Sequence, residues 1–140
     1  MTDTLRRLAK LKHLEETTAR RNLADAQRAE QANLDEAEEL ARRVSELRLE
    51  GDCDASQLQA HHQLQLRLEL ARRRAVRHSQ TLADRTARQQ QRFTAARVER
   101  RKAERVAEVV EERVAAEEAK RLQAQLDAAG TAGWFRRRAA

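Results

Sequence analysis

The sequence predicts an all-α fold: two long helices forming an antiparallel coiled-coil hairpin, the second longer than the first. Three observations carry that expectation. From Ser56 to Ala129 the chain holds neither proline nor glycine, and its apolar residues recur at helical spacing as Leu64, Leu68, Ala71, Ala75, Leu82, Phe93 and Ala96, then Ala107, Val110, Val114, Ala119, Leu122, Leu126 and Ala129. Steps of three and four keep a narrow stripe on one side of an α-helix. The second observation is composition. No proline, three glycines and 37% charged residues are the marks of long solvated helices, and alanine makes up 27 of the apolar residues, too thin a stock for a compact core. The third is Gly51-Asp52-Cys53-Asp54-Ala55, the one clear break between two amphipathic stretches, which is the signature of a helical hairpin.

Helix 1 is expected over about residues 4–50, with Thr2, Asp3 and Thr4 as N-cap candidates. Its stripe reads Leu5, Leu8, Leu11, Ala19, Leu23, Ala26, Leu34, Ala37, Leu40, Val44, Leu47. The part from Ala37 to Leu47 keeps a coiled-coil rhythm, while the earlier part drifts. Acidic and basic residues four apart, such as Glu16 with Arg20 and Glu39 with Arg43, support a solvated helix.

The turn is expected at about 51–55. Gly51 suits the left-handed position at a helix C-terminus, and Ser56 with Gln59 reads as the capping box of helix 2, about 56–129. A flexible basic tail, 130–140, begins at Gly130 and carries Trp134-Phe135-Arg136-Arg137-Arg138, the one aromatic cluster.

A stretch of about 74 helical residues spans roughly 110 Å and cannot bury its stripe in a globule, so it needs helical company. With a turn near residue 53, residue i lies opposite about 107 minus i, placing Leu47 against Ala60 and Leu5 against Lys102. Leu40, Val44, Leu47, Leu64 and Leu68 then pack the hairpin near its turn. Beyond the reach of helix 1, helix 2 overhangs by about 25 residues, with Val106, Val110, Val114, Leu122 and Leu126 as an unpaired seam for another protein.

No catalytic constellation is present: no phosphate-binding glycine loop, no metal-spaced cysteine and histidine cluster, no nucleophile beside a base. The expectation is therefore a protein that is not an enzyme and takes no cofactor or metal. His61 and His62 point about 100° apart on a helix, and His13 and His78 are isolated. A lone cysteine, Cys53, fits a reducing compartment, and no apolar run approaches a membrane span, so a cytoplasmic location is expected.

Charge is unevenly placed. Between Arg67 and Arg105 there are 13 basic residues against Glu69, Asp84, Glu99 and Glu104. Such a stripe neutralises phosphates without reading sequence, or complements an acidic protein cavity; the plain alternative is a solvated face partly offset by helix 1.

A basic start at Leu5-Arg6-Arg7-Leu8, a first helix near 50 residues, a turn and a longer second helix resemble the FliJ/YscO family of type III export stalk proteins. The second helix adds Val98-Glu99-Arg100-Arg101-Lys102-Ala103-Glu104-Arg105 and Gln123-Ala124-Gln125-Leu126-Asp127, similar to that family's charged C-terminal pattern. The resemblance covers nearly the whole chain and is carried by length, layout and a soft motif. It implies a cytoplasmic hairpin, at the membrane-associated base of a flagellar or virulence-type export apparatus, that links the export ATPase ring to the export-gate membrane protein and can bind export chaperones. The end bearing both termini enters the ring, where Arg6, Arg7, Lys10 and Lys12 would lie near Arg100, Arg101 and Lys102. Specific nucleic-acid binding is not expected, and the chain would be a monomer or associate weakly. The rival readings are a generic coiled-coil scaffold or homodimer, and a basic helical nucleic-acid binder.

Overall fold

The computed structural model describes residues 2–139. Two helices account for almost all of them: α1, Thr2–Glu46, and α2, Ala55–Ala139. They pack against each other as an all-α hairpin, the second helix much the longer. The chain divides into two compact units, one formed by Met1–Glu15 with Arg97–Ala140 and the other by Glu16–Ala96.

In the unit Glu16–Ala96 the helices run antiparallel and meet along a thin seam. Leu23, Ala26, Ala75 and Leu82 are buried there, Ala26 most completely at 1% exposure. Two polar residues are buried with them: Glu16 at 4% and Asn33 at 6%. The Asn33 side-chain amide donates to the Ala75 carbonyl at 2.9 Å, and the Arg20 guanidinium lies 5.6 Å from the centre of the Phe93 ring. In the other unit Ala107 is buried, Leu5, Ala9, Ala103 and Val110 are half-buried, and Arg6 Nε donates to Glu111 at 2.7 Å.

The covered positions step along α1 as Leu5, Ala9, Lys12, Glu16, Ala19, Leu23, Ala26, Glu30, Asn33, Ala37, Leu40 and Val44. That is an unbroken alternation of four and three, the heptad of a coiled coil. The stripe read from the apolar residues drifted because it followed Leu8, Leu11 and Leu34, which are exposed at 41%, 51% and 45%. On α2 the same rhythm runs through Ala75, Ser79, Leu82, Thr86, Gln89, Phe93, Ala96, Arg100, Ala103, Ala107 and Val110. Ser79, Thr86 and Gln89 fill the gap between the apolar residues Leu82 and Phe93 and those flanking them.

The connection differs from the expected five residues. Helix α1 ends at Glu46, where the Leu47 amide reaches back to the Val44 carbonyl at 3.4 Å, a tightened last turn. Gly51 does adopt the left-handed conformation, φ +78°, but within the connecting loop and five residues past the helix end. The capping box is also displaced. Asp54 Oδ1 accepts the Gln57 amide at 2.7 Å while Gln57 Oε1 accepts the Asp54 amide at 3.1 Å, so Asp54 starts α2 in place of Ser56 with Gln59.

In the middle of the hairpin the expected register holds to within one residue: Asn33, expected opposite residue 74, bonds the Ala75 carbonyl. Toward the turn Leu47 lines a groove with Leu64 and Leu68, and at the terminal end the long Arg6 side chain reaches Glu111, past the residue 101 expected opposite it. From Glu112 to Ala132 the described residues are exposed.

The basic tail is helical. Helix α2 passes through Gly130 and Gly133 to Ala139. Each glycine costs about 1 kcal/mol against alanine in a helix interior, but nothing here forces a stop: no proline follows, Thr131 Oγ1 caps the Asp127 carbonyl at 2.8 Å, and Arg136, Arg137 and Arg138 complement the negative end of the helix dipole.

Candidate interaction surfaces

The seven cations expected at the terminal end all fall in the unit formed by residues 1–15 and 97–140, yet most are neutralised locally. Arg6 bonds Glu111, which holds its guanidinium above the ordinary value through the hydrogen bond first and the charge second. Lys12 pairs with Glu15 at 3.0 Å, Arg100 with Glu104 at 2.7 Å and Lys102 with Glu99 at 3.3 Å. Arg7, Lys10 and Arg101 are exposed and have no ion-pair partner among the described residues. Ala9, Lys10, His13, Leu14 and Glu104 line one open groove. The carboxylates Glu104 and Glu111 thus stand alongside the basic start of α1, where the expectation had named only the cations Arg100, Arg101 and Lys102.

Near the turn, Leu40, Val44, Leu47 and Leu68 are half-buried, while Leu64 remains 46% exposed in the groove it shares with Leu47, Arg43 and Glu46. An arginine–glutamate network reinforces this end of α1: Glu39 accepts from both Arg42 and Arg43, and Arg42 also reaches Glu46 at 2.8 Å. Those two arginines hold the Glu39 carboxyl below the usual carboxylate range, Arg42 having the larger effect. On α2, Arg72 and then Arg73 do the same to Glu69.

The residues expected as an unpaired seam separate into two groups. Val110 is half-buried and belongs to the packed part of its unit, beside Ala107. Val106 is 50% exposed and Val114 40%, and Leu122 and Leu126 stand out at 60% and 66%. Further along, Leu126, Asp127, Gly130, Thr131, Trp134 and Phe135 surround an open depression. The two rings meet edge to face with centroids 5.1 Å apart, and the Arg138 guanidinium sits 4.8 Å from the Trp134 ring centre.

The buried polar set of the seam was not picked out from the sequence. Glu16, Asn33, Thr86 and Gln89 become visible as seam members once the heptad is counted through them. Thr86 Oγ1 and Gln89 Oε1 are buried without a hydrogen-bond partner. Cys53 is half-buried in the loop, its sulfur 3.7 Å from the Gly51 carbonyl oxygen. Among the described residues no group of three or more histidine, cysteine, aspartate or glutamate side chains is placed to hold a metal, and no helix is long and apolar enough to cross a membrane.

Comparison with known proteins returns no match: no family model, no curated protein and no solved structure is similar to this chain.

Proposed function

We propose that the chain is a non-enzymatic stalk of a type III export apparatus, linking the export ATPase ring to the membrane export gate and able to engage export chaperones. The observation that carries this reading is the unequal two-helix hairpin whose terminal unit presents Arg7, Lys10 and Arg101 uncompensated on its surface. A ring cavity lined with acidic groups recognises such a surface through complementary fields, which act on encounter rate and orientation without sequence-specific contacts. The thin seam of leucine, alanine and polar residues holds the two helices together, leaving the charged faces free to engage partners.

Binding of the purified chain to the export ATPase tests this. Replacing Arg7, Lys10 and Arg101 together by glutamate leaves helicity unchanged and weakens ring binding about tenfold or more at moderate salt, with a smaller difference at high salt. A triple variant that binds the ATPase as the parent chain does, or a parent chain that does not bind it at all, removes the proposal.

A further inference from the structure

Residues 112–139 continue as one helix whose side chains are exposed. At 100° per residue, Ala115, Ala119, Leu122, Leu126, Ala129 and Gly133 fall on one face, the two leucines being 60% and 66% exposed. The face is bounded by unlike charges: Glu112 at its start and Arg136 at its end.

From this arrangement we infer that the face binds a second copy of this chain, antiparallel, about a two-fold axis beside Ala124. Residues equidistant from Ala124 then meet. Leu122 packs on Leu126 of the second copy, Ala119 on its Ala129 and Ala115 on its Gly133. Glu112 faces Arg136, and the two-fold repeats every pair. Alanines on both sides of the leucine pair let the two backbones approach closely. The charges set the direction, since parallel alignment brings glutamates against glutamates and arginines against arginines. An isologous contact of this kind closes on itself and makes a dimer, not a filament. The inference is independent of the export reading. If both hold, the self-paired face is withheld from other partners.

Sedimentation equilibrium of the full chain over a concentration series reads the association. The parent chain shows a reversible monomer–dimer equilibrium. Glu112→Arg and Arg136→Glu, each alone, weaken the dimer roughly tenfold because two attractive pairs become repulsive at once. An equimolar mixture of the two variants restores association, since every charge again meets its opposite. Orientation is read from nitroxide pairs in a Cys53→Ser background. Labels at Gln123→Cys lie across an interhelical gap of about 10 Å, whereas labels at Ala116→Cys are displaced about 24 Å along the axis. A chain that stays monomeric throughout the series overturns the inference. So do charge variants that dimerise like the parent, a mixture without rescue, or equal label distances at the two positions.

Discussion

Asn33 is the residue on which the seam's alignment turns. It occupies the heptad position held elsewhere on α1 by Leu5, Lys12, Ala19, Ala26 and Leu40, and its amide bonds the Ala75 carbonyl of the facing helix. A buried asparagine at such a position costs stability and specifies register, because any slip leaves its amide unpaired. Asn33→Leu is therefore expected to raise the melting temperature while broadening the resonances of α1, as neighbouring registers become populated; an unchanged, sharp spectrum would show that Asn33 has no aligning role. Thr86 and Gln89 differ, since Thr86 Oγ1 and Gln89 Oε1 are buried without a partner. Thr86→Val removes an unsatisfied hydroxyl at nearly constant volume and is expected to stabilise the chain by about 1 kcal/mol in a urea titration. A loss of stability would mean that the hydroxyl is paired in solution.

At the scale of the helices, existence and type were legible, and boundaries were not. Proline-free runs of alanine, leucine, glutamate and arginine announce helix whatever surrounds them. The ends depended on competing local signals. Ser56 with Gln59 and Asp54 with Gln57 are equally good capping boxes in sequence, and the second is formed. Gly130 and Gly133 read as a stop, yet the helix runs through them, so Gly130→Ala with Gly133→Ala should raise the ellipticity at 222 nm and stabilise the last turns by about 1 kcal/mol per site. Unchanged ellipticity would mean that the tail is not helical in solution. Acid acts on the ion-pair networks. Glu39 and Glu69 have carboxyls held below the ordinary range by their arginines, so their contribution is fully present above the unfolded-state value near 4.3 and is lost as pH falls through the lower folded-state value. Helicity measured from pH 6 downward should accordingly decline below about pH 4, and less so at high salt, where these exposed pairs are already screened.

For the molecule as a whole, the hairpin, its inequality and the pairing at its middle could be read from the sequence, since Asn33 meets Ala75 one residue from the expected position. How far the packing extends toward the termini could not, because long side chains such as Arg6 reach several residues along the facing helix. Val110 is half-buried and Glu111 bonds Arg6, so the face left open begins later than expected. Leu122→Asp with Leu126→Asp should therefore leave the thermal midpoint of the dilute chain nearly unchanged. Leu40→Asp with Leu68→Asp should lower it by many degrees, since each burial lost is worth about 1.5–3 kcal/mol when complete. Equal loss in both double variants would place Leu122 and Leu126 inside the fold.

The thinness of the seam also sets how the chain comes apart. Glu16 is covered at the edge of its unit and Leu23, Ala26, Asn33, Ala75 and Leu82 further in, while Leu64 near the turn and everything from Glu112 to Ala132 are open. Opening free energies follow local burial, so amide hydrogens should report a gradient and not a single plateau. Exchange is slowest around Ala26 and Ala75, faster toward the loop, and close to that of an isolated helix beyond Glu112. The chain loosens from its ends inward, and the regions offered to partners are those that spend the most time partly unwound.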